Sequence, residues 1–211
     1  MQDRYLLVPP NNRNGDYNMA QIEHSDMVRV LAKSGSAIAD EMTQTNAHLL
    51  HMAIGISGEA AELLSAYVTS TELRIDPDHE NVVEELGDLE FYIEGFRQGL
   101  SVTRVDAHKL YATPFDSQYT KQREWLSVKL SVASGDLLDM VKKFTIYQKP
   151  LPVNDTIKQI VLIDNILECI RECEGLTYQQ VLDANITKLG KRYEGFKYTD
   201  QAAQTRADKV T

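Results

Sequence analysis

Apolar residues recur every three or four positions along most of this chain, which is the spacing of one buried helix face. The strict alternation of a half-buried strand is nearly absent, so the pattern predicts an all-α fold. Two stripes are the most regular, and they comprise Leu49, Ala53, Ile56, Ala60, Leu63 and Tyr67, then Val82, Leu86, Leu89, Ile93 and Phe96. The predicted helices cover 19–43, 46–70, 77–98, 102–111, 121–147, 154–174, 177–192 and 199–208.

Local signals at helix starts support two of these boundaries. Asp76 followed by Pro77 is a favourable N-cap and first-turn pair, so it predicts the start of the third helix. Thr177 and Gln180 have the spacing of a capping box, which predicts the start of the seventh helix.

The chain also repeats itself. Residues 88–100 align without a gap on 164–176, and the segment 57–62 resembles 134–139. Pairing Glu62-Leu-Leu with Asp136-Leu-Leu is an equally good upstream register. We therefore expect a helical bundle built from two tandem helical-hairpin repeats with pseudo-twofold symmetry. Two amphipathic helix pairs also resemble each other by chance, which is the alternative. The expected organisation is an N-terminal segment, 1–45, a first repeat, 46–111, and a second, divergent repeat, 121–208.

The charge and the apolar content of the chain argue against two classes of partner, nucleic acid and membrane. A net charge of −9 over 211 residues argues against a broad basic face for nucleic acid. No apolar run is long enough to span a bilayer, and the first twenty residues lack the apolar core of a signal peptide. We expect a cytoplasmic protein that contacts neither nucleic acid nor membrane. Cys169 and Cys173 match neither a redox motif nor a zinc site, so buried thiols are expected.

Two pairs of acids carry the candidate chemistry. Glu59 with Glu62, and Glu85 with Asp88, each have the three-residue spacing that places two side chains on one helix face. The apolar neighbours of each pair predict that this face is partly buried. Four carboxylates between two packed helices would repel one another, and a hard divalent cation with oxygen ligands relieves that repulsion. The pattern therefore indicates a metal centre, although acids at this spacing are also common on solvated helix faces.

These residues resemble a known family. The segments 58–62 (GEAAE) and 83–89 (VEELGDL), separated by the spacer 63–84 and preceded by 51–55 (HMAIG), are similar to the MazG-like all-α nucleoside triphosphate pyrophosphohydrolases. That resemblance implies a helical bundle, a homodimer, and Mg²⁺, with Mn²⁺ as a substitute. It also implies hydrolysis of a nucleoside or deoxynucleoside triphosphate to the monophosphate and pyrophosphate. Glu59, Glu62, Glu85 and Asp88 are then the metal-binding and catalytic residues.

The basic residues that the resemblance implies for substrate binding lie in the second repeat. The tail 184–193, with 195–196 and 206–208, is similar to phage-type members, as is the loop 147–150. The implied substrate-binding residues are Lys142, Lys149, Asn185, Lys188 and Arg192. Cations in the last turn of a helix are also favoured by its dipole, which is the alternative for the last two. Because the acids lie in one repeat and the basic residues in the other, we expect one working site per chain.

Two other functions stay open. One is a dUTP/dUDP hydrolase of the dimeric all-α type, which uses the same acids. The other is a non-catalytic helical interaction protein whose second repeat has lost its acids. The expected role of the leading candidate is control of a nucleotide pool in a bacterium or a phage-infected cell.

Overall fold

A computed structural model describes residues 22–111, 122–206 and 208, and the chain divides into two compact units, Met1–Glu41 and Met42–Thr211. In the first unit, α1 is His24–Leu31 and α2 is Gly35–Glu41. The single helix predicted over 19–43 is therefore wrong. Ala32 is extended, and the hydroxyl of Ser34 accepts a hydrogen bond from the Ala37 N–H at 3.2 Å. Neither helix buries a residue, so no packed face holds the chain helical through this break.

The second unit is a helical bundle, as the periodicity predicts. Its helices are α3 (Gln44–Leu73), α4 (His79–Gly99), α5 (Arg104–Tyr111), α6 (Arg123–Tyr147), α7 (Val153–Glu174), α8 (Tyr178–Arg192) and α9 (Asp200–Thr205), with a 3₁₀ turn at Glu194–Phe196. The helix α3 packs against α4 and α6, α7 packs against α6 and α5, and α8 packs against α4. Both predicted repeats lie inside this one unit. No helix in the described part of the chain has the length and apolar content required to cross a membrane.

Burial of the apolar stripes holds this bundle together. Every residue of the two stripes predicted on α3 and α4 is buried, and Leu126, Leu130 and Leu137 of α6 join the same core. Removing such side chains from water contributes about 1.5–3 kcal/mol each. The stripes therefore fix which faces of α3 and α4 point inward, and with them the direction of the acids.

Small residues let α3 and α4 approach closely beside those acids. A Cβ on Gly55 would lie 2.3 Å from a ring carbon of Tyr92, and a Cβ on Gly95 would lie 2.3 Å from the sulfur of Met52. At Gly55 a side chain would meet the rigid ring of Tyr92, whereas at Gly95 it would displace the flexible end of Met52. Gly55 thereby allows the ring of Tyr92 to lie flat on α3 within one turn of Glu59.

The N-caps confirm one predicted helix start and correct the other. Thr177 and Gln180 form the complete capping box at the start of α8. At the start of α4 the cap is Asp78, whose Oδ1 accepts the backbone N–H groups of Glu80 at 3.0 Å and Asn81 at 3.3 Å. The prediction that Asp76 caps this helix is wrong, because Pro77 precedes the cap instead of occupying the first turn.

The two hairpins correspond at a spacing that differs from the gapless sequence match. Three pairs of helix boundaries are each separated by 74 residues. They are the starts of α4 and α7, the starts of α5 and α8, and the ends of α3 and α6. Two buried ion pairs between α4 and α7 have the same relation: Arg97 binds Asp164, and Arg171 binds Glu90. The gapless match has a spacing of 76 residues, so it is two residues out of register with these contacts. The internal duplication itself stays a prediction.

Candidate metal centre

Three carboxylates meet where α3 packs against α4. One oxygen from each of Glu59, Glu85 and Asp88 lies within 4.8 Å of the others. Glu85 is buried, and the other two are half-buried. The helices pass each other with their acid pairs at the same level, which brings these side chains together. Within the described residues, this is the one group of three side chains of metal-ligating type that approach so closely.

Glu62, the fourth acid of the predicted set, lies apart from this group. Its side chain is exposed, although its charge contributes to raising the pKa of Glu59. A helix advances about 100° per residue, so residues three apart differ in direction by about 60°. That angle leaves one acid of the α3 pair facing α4 and the other facing solvent.

Burial and mutual repulsion change the protonation of the cluster. Burial, a hydrogen bond with Glu85, and repulsion from the neighbouring carboxylates raise the pKa of Glu59 to about 8. Burial also raises the pKa of Glu85. Near neutral pH the carboxyl of Glu59 therefore keeps its proton and donates it to the carboxylate of Glu85. A proton shared between these two carboxyl groups relieves part of the repulsion within the group.

The helix α8 supplies polar partners to the third acid. Asn185 Nδ2 donates to Asp88 Oδ1 at 2.9 Å, and Lys188 Nζ donates to Asp88 Oδ2 and, at 3.3 Å, to Glu84 Oε1. A Cβ on Gly87 would lie 2.9 Å from the Cβ of Asn185. Glycine at that position lets α8 approach closely enough for the two α8 side chains to reach Asp88.

Arg192, one turn further along α8, is held by the end of the chain. Its Nε and Nη2 donate to the two carboxylate oxygens of Asp208, both at 2.6 Å. This bidentate bond lowers the pKa of Asp208 to about 2. Arg192 therefore has a protein partner in this conformation, and a phosphate would compete with Asp208 for its guanidinium.

A cavity of about 410 Å³, here called the carboxylate cavity, opens above the three acids. Its walls come from α3, α4, α8 and α9, so the end of the chain covers one side of it. The lining residues are Glu59, Glu62, Asn81, Glu84, Glu85, Asp88, Phe91, Tyr92, Leu189, Arg192, Tyr193, Ala203 and Arg206. The cavity thus combines carboxylates, two arginines and three aromatic rings, and its volume is typical of small-molecule sites.

The predicted basic residues of α6 and its following loop lie elsewhere. Lys142 is exposed, and its Nζ donates to Asp139 Oδ1 of its own helix at 2.5 Å. Lys149 is also exposed. Neither lysine lines the carboxylate cavity. The structure therefore brings Asn185, Lys188 and Arg192 to the site, but not these two lysines.

Within the part of the chain that the structure describes, the second hairpin forms no equivalent group of three carboxylates. At the 74-residue spacing, Ala133 and Gln159 correspond to Glu59 and Glu85, and Gln159 Nε2 donates to the Ala133 carbonyl at 2.9 Å. Asp164 is fully buried, where it binds Arg97 Nη1 at 3.0 Å and His108 Nε2 at 3.0 Å. That carboxylate serves the α4–α7 contact.

Sequence reasoning missed two acids at the site. Glu84 lines the cavity and binds Lys188, and Asp208 holds Arg192. Glu84 directly precedes Glu85, so its place beside the cluster is visible once α4 is drawn as a helix. No local signal marks Asp208, because its contact depends on the chain returning over α8.

Comparison with known proteins adds no relative: no family model, curated protein or solved structure matches this chain. The fold and the site define an all-α bundle with a three-carboxylate group at the base of a cavity. Any functional assignment therefore depends on that geometry and on the sequence resemblance described above.

Proposed function

We propose that this protein is a Mg²⁺-dependent hydrolase that converts a nucleoside or deoxynucleoside triphosphate into the monophosphate and pyrophosphate. The observation that carries the proposal is the convergence of Glu59, Glu85 and Asp88 within 4.8 Å at the base of a cavity that also contains arginines. Carboxylates alone would favour a cation, and arginines alone would favour an anion. Both together suit a metal–polyphosphate complex.

The donor set fits Mg²⁺ or Mn²⁺. All three side chains offer carboxylate oxygens, which these hard cations prefer, and no sulfur or imidazole belongs to the group. The raised pKa of Glu59 indicates a site with an excess of negative charge that a cation would offset. When bound, the metal would neutralise phosphate charge and lower the pKa of a water molecule. Glu59, Glu85 and Asp88 would hold it.

The remaining polar groups would bind and orient the phosphates. Arg192 and Arg206 line the cavity, and Lys188 lies beside Asp88. A triphosphate that entered would exchange the carboxylate partners of these cations for phosphate oxygens, with bidentate geometry available to the arginines. Asn185 would keep Asp88 in one orientation through its hydrogen bond.

Glu59 is the residue we assign to proton transfer. In the reaction, the oxygen of water bonds to the α-phosphorus and the bond from that phosphorus to the α–β bridging oxygen breaks. Pyrophosphate leaves, and the proton of the water passes to the Glu59 carboxylate. This role requires one oxygen of the half-buried Glu59 carboxylate that does not bind the metal, because metal binding would lower the basicity of that oxygen.

Product analysis tests the proposal. The protein is incubated with Mg²⁺ and a panel of nucleotides that includes dUTP, dUDP, dGTP and dATP, and the products are separated by chromatography. We expect monophosphate and pyrophosphate from a triphosphate, and loss of about a hundredfold or more in rate for Glu85→Gln. Glu72→Gln, which alters an exposed acid of α3 that lines neither this cavity nor its neighbour, is the matched control and should lose far less. Absence of any Mg²⁺-dependent product, or full activity in Glu85→Gln, contradicts the proposal.

The same panel separates the alternatives. Hydrolysis of dUDP would favour the dUTP/dUDP hydrolase, because a pyrophosphohydrolase that releases pyrophosphate requires a triphosphate. A non-catalytic interaction protein would release no phosphate product from any nucleotide. The homodimer implied by the resemblance belongs to the same proposal, and sedimentation velocity tests it.

A further inference from the structure

A second cavity of about 400 Å³ lies on the other side of the acids, between the C-terminal half of α3 and the start of α4. We call it the loop cavity. Its lining residues are Glu62, Ser65, Ala66, Thr69, Ser70, Ile75, Asp76, Pro77, Asp78, Asn81 and Glu85. Glu62, Asn81 and Glu85 also line the carboxylate cavity. A bound molecule can therefore extend from one cavity to the other past the carboxylate group.

The two cavities differ in charge. The carboxylate cavity contains Arg192 and Arg206, whereas none of the described residues that line the loop cavity is basic. Four acids, Glu62, Asp76, Asp78 and Glu85, make the loop cavity acidic. A polyphosphate would be repelled there and attracted to the arginines on the other side. The loop cavity is thus suited to the part of a nucleotide that carries no phosphate.

The uncharged lining of the loop cavity suits a nucleoside. Ala66, Ile75 and Pro77 give it an apolar side, and Ile75 is 61% exposed. The side chains of Ser65, Thr69 and Asn81 add polar groups to the same lining. An apolar surface with a few convergent polar groups is the usual composition of a site for a small organic ligand.

We propose that the loop cavity binds the base and sugar of the substrate and prefers bases with an exocyclic amino group. This inference rests on the proposed function, since it assigns the other half of the same nucleotide. The carboxylates of Glu62, Asp76 and Asp78 accept hydrogen bonds and cannot donate them, and these acceptors outnumber the donors that the Asn81 amide offers. Adenine and cytosine present an amino group to such acceptors, whereas uracil presents carbonyl oxygens in the equivalent place.

Binding of nucleosides without metal or phosphate tests the inference directly. Adenosine, cytidine and uridine are titrated into ¹⁵N-labelled protein, and backbone amide shifts are followed by NMR. We expect the largest shifts at residues 65–69 and 75–81, with uridine binding at least about threefold more weakly than adenosine or cytidine. Shifts centred on α8 and α9, no detectable binding, or equal binding of the three nucleosides would overturn the inference.

Two variants on adjacent positions of α3 localise the binding. Thr69→Phe fills the loop cavity and should weaken nucleoside binding about tenfold. Val68→Phe introduces the same side chain at a neighbouring exposed residue that does not line the cavity, so it should bind as the parent does. Equal effects of the two variants would overturn the inference.

A parallel titration with inorganic tripolyphosphate and Mg²⁺ keeps this inference separate from the proposed function. Thr69→Phe should leave tripolyphosphate affinity unchanged, because the phosphate end lies in the other cavity. If the parent protein binds nucleosides at 65–81 but hydrolyses no triphosphate, the proposed function fails while the nucleoside site stands. If it hydrolyses triphosphates but binds no nucleoside there, only the nucleoside site fails.

Discussion

Replacing Glu59 by glutamine tests how far repulsion within the three-carboxylate group lowers the stability of the fold. The same variant also tests whether that group binds a metal ion. Glutamine keeps the shape of the side chain, and its amide can still donate to Glu85, but it carries no charge. Two carboxylates no more than 4.8 Å apart repel by at least about 1 kcal/mol at the dielectric constant of water and by at least about 3–4 kcal/mol at an effective value of 20. Glu59 is half-buried and about half ionised near pH 8, so we expect the variant to gain about 1–2 kcal/mol there.

The raised pKa of Glu59 determines how the stability difference between parent and variant changes with pH. The pKa of Glu59 in the folded protein is about 8, above the ordinary value of 4.5, so the folded state holds an additional proton between these two values. Stability of the parent therefore falls as the pH rises through that window. Glu59→Gln lacks this titrating proton, so its advantage over the parent should shrink as the pH falls and approach zero only near pH 4.5.

Thermal unfolding, followed by far-ultraviolet circular dichroism in a chelator and in Mg²⁺, measures both effects. Near pH 8 without metal, Glu59→Gln should melt about 2–6 °C above the parent. Added Mg²⁺ should raise the melting temperature of the parent and leave that of the variant nearly unchanged. Glu62→Gln should retain the response to Mg²⁺. The reasoning is refuted if Glu59→Gln lowers stability near pH 8, or if Mg²⁺ stabilises it as much as the parent.

Two further substitutions test the contacts that position the site. Gly87→Ala places a Cβ 2.9 Å from that of Asn185, and it should cost about 1–3 kcal/mol in urea unfolding. Gly58→Ala, which meets nothing within 4 Å, should instead stabilise by about 0.5–1 kcal/mol, and equal effects at both positions would contradict the close approach of α8. Arg97→Met removes the buried guanidinium from Asp164, which keeps only the partly exposed His108 and the more distant Arg104, and should cost about 3–5 kcal/mol, whereas Arg97→Met with Asp164→Leu should recover most of this loss. A double variant as unstable as the single one would show that the ion pair is not the cause.

The helices of the bundle could be predicted because burial selects them. Apolar residues at helical spacing mark the inward faces of α3 and α4, and the structure buries every one of them. The segment 19–43 shows the limit of that reasoning. Its helical spacing is as good as elsewhere, but it buries no side chain in α1 or α2, and the helix breaks at Ala32. Periodicity predicts a helix only where a packed face stabilises it.

The site was predictable to the extent that its residues lie on two neighbouring helices. Spacing along α3 and α4 is sufficient to predict that Glu59, Glu85 and Asp88 converge. It does not distinguish Glu59 from Glu62, because that difference depends on the rotation of α3 about its axis. The prediction that Lys142 and Lys149 bind substrate depends on the resemblance to phage-type members. Such a resemblance carries no information on the orientation of α6 in this bundle.

Binding of Mn²⁺, measured by electron paramagnetic resonance, tests the central claim most directly, because it requires no knowledge of the nucleotide. We predict that the parent removes the signal of free Mn²⁺, that Mg²⁺ competes for the same site, and that Glu85→Gln weakens the affinity by about tenfold or more. Glu62→Gln should bind almost as the parent does. Unchanged Mn²⁺ affinity in Glu85→Gln, or no binding by the parent, would contradict the claim that the three carboxylates form a metal centre.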